Sequence, residues 1–153
     1  MKYLHFMIIV AAVSLLLLNG CGGTQPTMHY YQLAPTALSV STSAEGLPDL
    51  AIAVGPVTIP EMLKRQEIVI RGDGNQLRLT DLHRWAGLLE KDLTAVIIEN
   101  LGKQLGTEKV VSFPAERYFE SDFRVIIEVL DLSGKPDELV TLRAAWTIVD
   151  RSG

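Results

Sequence analysis

The most regular hydrophobic pattern in the chain is the recurrence of Leu89, Leu93, Val96, Ile97, Leu101 and Leu105 at steps of three and four residues. That is one face of a 3.6-residue period, so the sequence predicts an amphipathic helix over Leu88–Leu105. Gly106 supplies its stop, and Gly87 argues against an extension back through Trp85. Downstream the period changes to two. Phe123–Val129 carries apolar residues at its odd positions, and Val140–Ile148 alternates Val140, Leu142, Ala144, Trp146 and Ile148 with Thr141, Arg143, Ala145 and Thr147. Such alternation predicts strands with one buried and one wet face, which places Trp146 and Trp85 among the core or interface aromatics.

Upstream the elements are shorter. His29–Leu33 reads as a first strand, Ala34–Pro48 as a loop, and Leu50–Val54 as a strand that Gly55-Pro56 ends. Val57–Pro60 continues extended, and Pro60 suits the first turn of a short helix over Glu61–Arg65. Glu67–Arg71 and Gln76–Leu79 flank Gly72-Asp73-Gly74-Asn75, which predicts a hairpin. The expected fold is α/β (α+β): a single small domain with a mostly antiparallel sheet and a long helix packed on one face.

The first twenty residues follow another logic. Lys2 starts a short positive region, and Phe6–Leu18 is an apolar run of 13 residues broken only by Ser14. A spanning helix needs roughly 17 to 25, so the run fits a signal-peptide core. Leu18-Asn19-Gly20-Cys21 then resembles the lipobox of bacterial lipoproteins. The resemblance implies cleavage before Cys21, a diacylglycerol on its sulfur and an acylated amine, palmitate being a typical acyl group. Gly22 in place of Asp implies sorting to the outer membrane. A secretory leader cut nearby is the competing reading. Cys21 is the only cysteine, so an intramolecular disulfide is excluded, and no core surrounds it. The expected division is 1–20 leader, 21–28 lipidated tether and 29–153 domain. Three acyl chains, at about 0.8 kcal/mol per buried methylene, make such an anchor effectively permanent.

The bulk numbers narrow the partners. The mature chain of 133 residues is long enough for one real core. Loss of Lys2 leaves 13 basic against 18 acidic residues, a balance of −5. Without a basic block, neither nucleic acid nor charge-driven adhesion to anionic head groups is expected.

Candidate chemistry is sparse. Gly134-Lys135-Pro136 lacks the spacing and the hydroxyl residue of a phosphate-binding loop. Gly72-Asp73-Gly74-Asn75 suggests calcium only until the twelfth position, where Arg84 stands instead of Glu. His5 lies in the leader, and His29 with His83 makes no zinc set without further ligands. His83 beside Trp85 reads as a surface or packing residue, and Glu90 and Asp92 as a solvated helix face. No catalytic, cofactor-binding or metal residue is assigned; Cys21, as the lipidation site, is the sole site residue.

Several stretches together resemble one family, the ABC-type transport auxiliary lipoproteins. They are Tyr30-Tyr31-Gln32-Leu33, the block from Val54-Gly55-Pro56 through Ile59-Pro60 to Leu63, Trp85-Ala86-Gly87-Leu88-Leu89, the helix ending Glu99-Asn100-Leu101, and the Trp146 strand. The resemblance covers essentially all of the mature chain. It implies a non-enzymatic lipoprotein on the inner face of the outer membrane, facing the periplasm. Its implied partners are an MCE-domain protein and an inner-membrane ABC permease and ATPase that move lipids across the envelope, with a homo-oligomeric ring as a form of assembly. Only Cys21 transfers with a defined role; Pro56, Pro60 and Trp85 match motif positions and are read as shaping the fold. Family members continue past the Trp strand into a further strand and helix. The resemblance therefore leads one to expect that a face of the last strand is bare here. Two readings compete: an assembly lipoprotein of another envelope machine, such as a pilotin, and an anchored periplasmic enzyme.

Overall fold

The structure is a computed structural model that describes residues 3, 5, 7, 25–36, 46–114, 119–135 and 138–152. Its elements are β1 (His29–Tyr31), β2 (Ile52–Thr58), a 3-10 turn (Glu61–Leu63), β3 (Glu67–Arg71), β4 (Leu77–Trp85), α1 (Leu89–Leu105), β5 (Val110–Ser112), β6 (Phe123–Ser133) and β7 (Thr141–Asp150). The strands form two sheets. The smaller has the order β1-β4-β3 and the larger β5-β2-β6-β7. The expected α+β domain with a long helix is what is found.

The pairing is mixed. The β3–β4 hairpin and the β6–β7 ladder, from Phe123 opposite Asp150 to Ser133 opposite Thr141, are antiparallel. β1–β4, β2–β5 and β2–β6 are parallel. The parallel pairs join strands separated by long crossovers. A strand that returns to its sheet after a helix-bearing crossover emerges in the same direction, whereas a tight turn reverses it.

The helix runs from Leu89 to Leu105, with Gly106 at φ 65° in the left-handed conformation that ends it. Its Leu89, Leu93, Ile97, Ile98, Leu101 and Leu105 pack on the core, so Ile98 joins the predicted face in place of Val96. Val54 at 0% exposure and Leu89 at 2% mark the centre, where β2 meets the helix. Full burial of such a side chain stabilises by about 1.5–3 kcal/mol. Thr107 is the buried polar residue among those described. Its hydroxyl donates to the Leu50 carbonyl at 2.9 Å and accepts from the Lys109 amide at 3.1 Å.

In four places the fold departs from the sequence-based expectation or adds to it. Gly55-Pro56 does not end β2: the ladder to β6 shifts register between Val54 and Val57 and resumes, because Gly55, at φ 130°, absorbs the irregularity. β4 continues past Leu79 to Trp85, since β1 and β3 pair with its second half. β5 has too few residues for a periodic signal. The fourth concerns β7. Alternation alone turns its apolar face toward the core, whereas the family resemblance leads one to expect that face bare; Leu142 is 55%, Trp146 70% and Ile148 61% exposed, and Val140, just before the strand, 69%. Leu142, Trp146 and Ile148 lie opposite Leu132, Ile127 and Val125, which do pack on the core. The helix packs on β2 and β5, at the side of the sheet away from β7.

Candidate functional site

The block from Val54 to Leu63 passes through the middle of the molecule. Phe113 donates its amide to the Val54 carbonyl at 2.7 Å, and a Cβ on Gly55 would stand 3.1 Å from the Phe113 carbonyl oxygen. The Arg124 guanidinium lies over the Phe113 ring, 4.8 Å from its centre. Val57, Ile59 and Leu63 are buried, while Pro56 and Thr58 face out. Pro60 opens the 3-10 turn, its carbonyl accepting the Leu63 amide at 2.9 Å. That turn presents Met62 and a 3.0 Å ion pair between Glu61 and Lys64. The hydrogen bond to Glu61, then its charge, raises the ammonium of Lys64 above its ordinary value. This pair is on the surface.

Trp85 ends β4 over the same region. Its amide donates to Gln66 and the next amide, of Ala86, donates to Tyr31, both at 2.7 Å, so β1, β3 and the helix start are tied at one point. Trp85, Leu63, Leu89, Leu33, Val69 and Leu132 line a cavity of about 360 Å³ between the two sheets. Two of its lining residues, Ser133 and Gly134, belong to a bridge that no sequence motif announces. Arg71 on β3 reaches Asp131 at 3.4 Å and Ser133 at 3.2 Å on β6, and its amide donates to Gly134 at 2.9 Å. The signal for it, an arginine at a strand end and an acidic residue in another strand, is too common to read from one chain.

The other predicted positions fall as follows. Cys21 lies outside the described residues, as do residues 1, 2, 4, 6 and 8–24 of the leader and tether. His29 and His83 stand opposite each other, their rings stacked at 5.2 Å, and Tyr31 Oη lies 2.7 Å from His83 Nδ1. Among the described residues, no three His, Cys, Asp or Glu side chains come together as a metal set. The Gly72–Gln76 loop closes as a turn, the Gly72 amide donating to Gln76 at 2.8 Å. Trp85 is partly buried against the core, as expected, whereas Trp146 is on the surface. Asp92, expected on a solvated face, is half-buried, with Oδ2 shielded and unpartnered among the described residues.

The chain is similar to intermembrane transport lipoprotein PqiC of Escherichia coli, at 24% identity over 139 residues, covering 91% of this chain and 72% of the relative. The PqiC of Shigella flexneri matches with the same figures. A crystal structure of a Xanthomonas campestris protein superposes with a TM-score of 0.62 at 14% identity, over 83% of this chain and 70% of that one. A second crystal structure, of an uncharacterized protein, gives 0.56 at 19% identity, over 84% and 83%. These two establish the fold. Residues 31–153 match the ABC-type transport auxiliary lipoprotein component, and that stretch holds the Val54–Leu63 block, Trp85 and the helix whose packing is described above. The chain belongs to that family of transport auxiliary lipoproteins.

Proposed function

We propose that the protein is the outer-membrane lipoprotein of an intermembrane transport system, anchored through Cys21 and facing the periplasm. In this reading it is a non-catalytic docking or conduit component for an MCE-domain protein whose other end meets an ABC permease. The observation that carries the reading is the family match over residues 31–153 together with the PqiC relatives. The lipobox at Leu18–Cys21 and Gly22 after it support the anchor and its sorting. The exposed apolar face of β7 supports a role in binding rather than turnover, because contiguous apolar surface marks interaction sites.

The test is recovery of the tagged full chain from its native envelope with identification of bound proteins. An MCE-domain protein and permease subunits in the eluate are expected. A different envelope machine, or an anchored and folded protein without partners, overturns the assignment. Replacing residues 1–20 with a leader that is cut without acylation, together with Cys21→Ala, should shift the protein from the membrane fraction to the soluble periplasm; retention of that cleaved form in the membrane refutes the anchor.

A further inference from the structure

We infer that the cavity between the two sheets is a binding site for a single lipid acyl chain. Its walls are the side chains of Leu33, Leu63, Val69, Trp85, Leu89 and Leu132, and its volume of about 360 Å³ falls in the ~300–1,000 Å³ range of small-molecule sites. The polar groups at its end are already used. Ser133 Oγ donates to Asp131 Oδ2 at 2.9 Å and accepts from Arg71 at 3.2 Å, and the Gly134 carbonyl accepts the Arg71 amide. A polar ligand would find no unused partner among these groups and would lose its hydration. An apolar chain gives up no hydrogen bond there and stays shielded from water.

The shape continues outward. Val140 lies in the cavity wall, immediately before β7, and leads into the apolar strip Leu142, Trp146 and Ile148 on that strand. A chain longer than the cavity therefore has an apolar track beside its mouth. The rim carries one charged side chain among its lining residues, Lys135. Lys135 borders both the cavity and a polar hollow that holds Arg78, Asp73 and Glu138, and its ammonium is 3.8 Å from Asp73. This charged residue of the cavity lining is already turned to Asp73 of the neighbouring hollow, so affinity rests on the tail and the head group stays in water.

This goes beyond the docking role and does not depend on it. The test uses the full chain in its native envelope, in cells fed a photoreactive diazirine fatty acid that enters their lipids. After illumination, acyl adducts are expected on peptides carrying Leu63, Val69 or Leu132. An adduct with the mass of a whole phospholipid identifies a captured lipid, and a link to the Cys21 peptide identifies the protein's own anchor; each places an acyl chain in the cavity. Val69→Phe fills the cavity and removes these adducts. Val140→Asp, at an exposed position where folding is not at stake, puts a carboxylate at the mouth and also depletes them. Adducts confined to the Trp146 peptide, or wall adducts unchanged in both variants, overturn the inference. Recovery of transport partners without wall adducts would refute the cavity site and leave the docking role standing.

Discussion

Arg71 on β3 and Asp131 on β6 join the two sheets side chain to side chain, Nη2 lying 3.4 Å from Oδ1 and 3.5 Å from Oδ2. Neither sheet is large, and the first strand of the smaller one pairs over His29–Tyr31 alone. The bridge is partly wet, with the two side chains 41% and 30% exposed, so its Coulomb attraction is screened. Arg71→Met should therefore lower the unfolding free energy by only about 1 kcal/mol, with a coupling of about 0.5–1 kcal/mol to Asp131→Asn in a double-mutant cycle. Urea denaturation of the two single variants and the double variant gives the number. Additive losses would mean that the pair forms without contributing.

Gly55 and Gly74 separate two costs that a glycine can hide. Both have positive φ, 130° and 62°. A Cβ on Gly74 meets nothing within 4 Å, whereas one on Gly55 meets the Phe113 carbonyl at 3.1 Å. Gly74→Ala should cost the backbone penalty alone, about 1 kcal/mol. Gly55→Ala should cost about 1–3 kcal/mol, because the strained backbone must also push Phe113 and β5 aside. Equal losses in thermal or urea unfolding would contradict the close approach of the two segments.

Thr107 offers a sharper test of a buried polar group. Its hydroxyl serves Leu50 and Lys109, with Pro48 at 3.3 Å, and thereby pins the start of β2 to the exit of the helix. Thr107→Val keeps the volume and strands those backbone groups, at a cost of about 1–3 kcal/mol. Thr107→Ser keeps the hydroxyl and should lose clearly less. If the serine variant falls as far as the valine variant, the methyl group and not the hydrogen bonds is what matters there.

What the sequence disclosed follows from how local each signal is. The helix was legible because its apolar residues repeat over several turns and Gly106 terminates it. The β3–β4 hairpin was legible because its turn residues are adjacent in the chain. β5 was not, since three residues carry no period and its place beside Ile52–Val54 is a non-local fact. Alternation in β7 correctly indicated a strand with an apolar face, but it cannot say whether anything lies over that face. The Arg71–Asp131 bridge and the cavity at Trp85 arise from residues far apart in the chain, so no window of sequence contains them. The family motif, by contrast, is legible as ordered blocks, because each block is contiguous in the chain.

Trp146 decides whether the β7 face is bare in solution. The chain has two tryptophans: Trp85, packed against the core, and Trp146, 70% exposed on an edge strand beside Ile148 and Leu142. A tryptophan buried in a core costs about 3–5 kcal/mol when cut to alanine, while a surface position changes stability by about 0.5 kcal/mol or less. Trp146→Thr, which keeps a good strand residue, should therefore unfold at nearly the same urea concentration as the parent. It should also remove the part of the emission that acrylamide quenches readily, leaving the shielded signal of Trp85. A loss of several kcal/mol would mean that the face is covered in solution, by another molecule or another part of the protein. Concentration dependence of the unfolding midpoint would then identify an intermolecular cover, because association stabilises by mass action whereas an intramolecular contact does not.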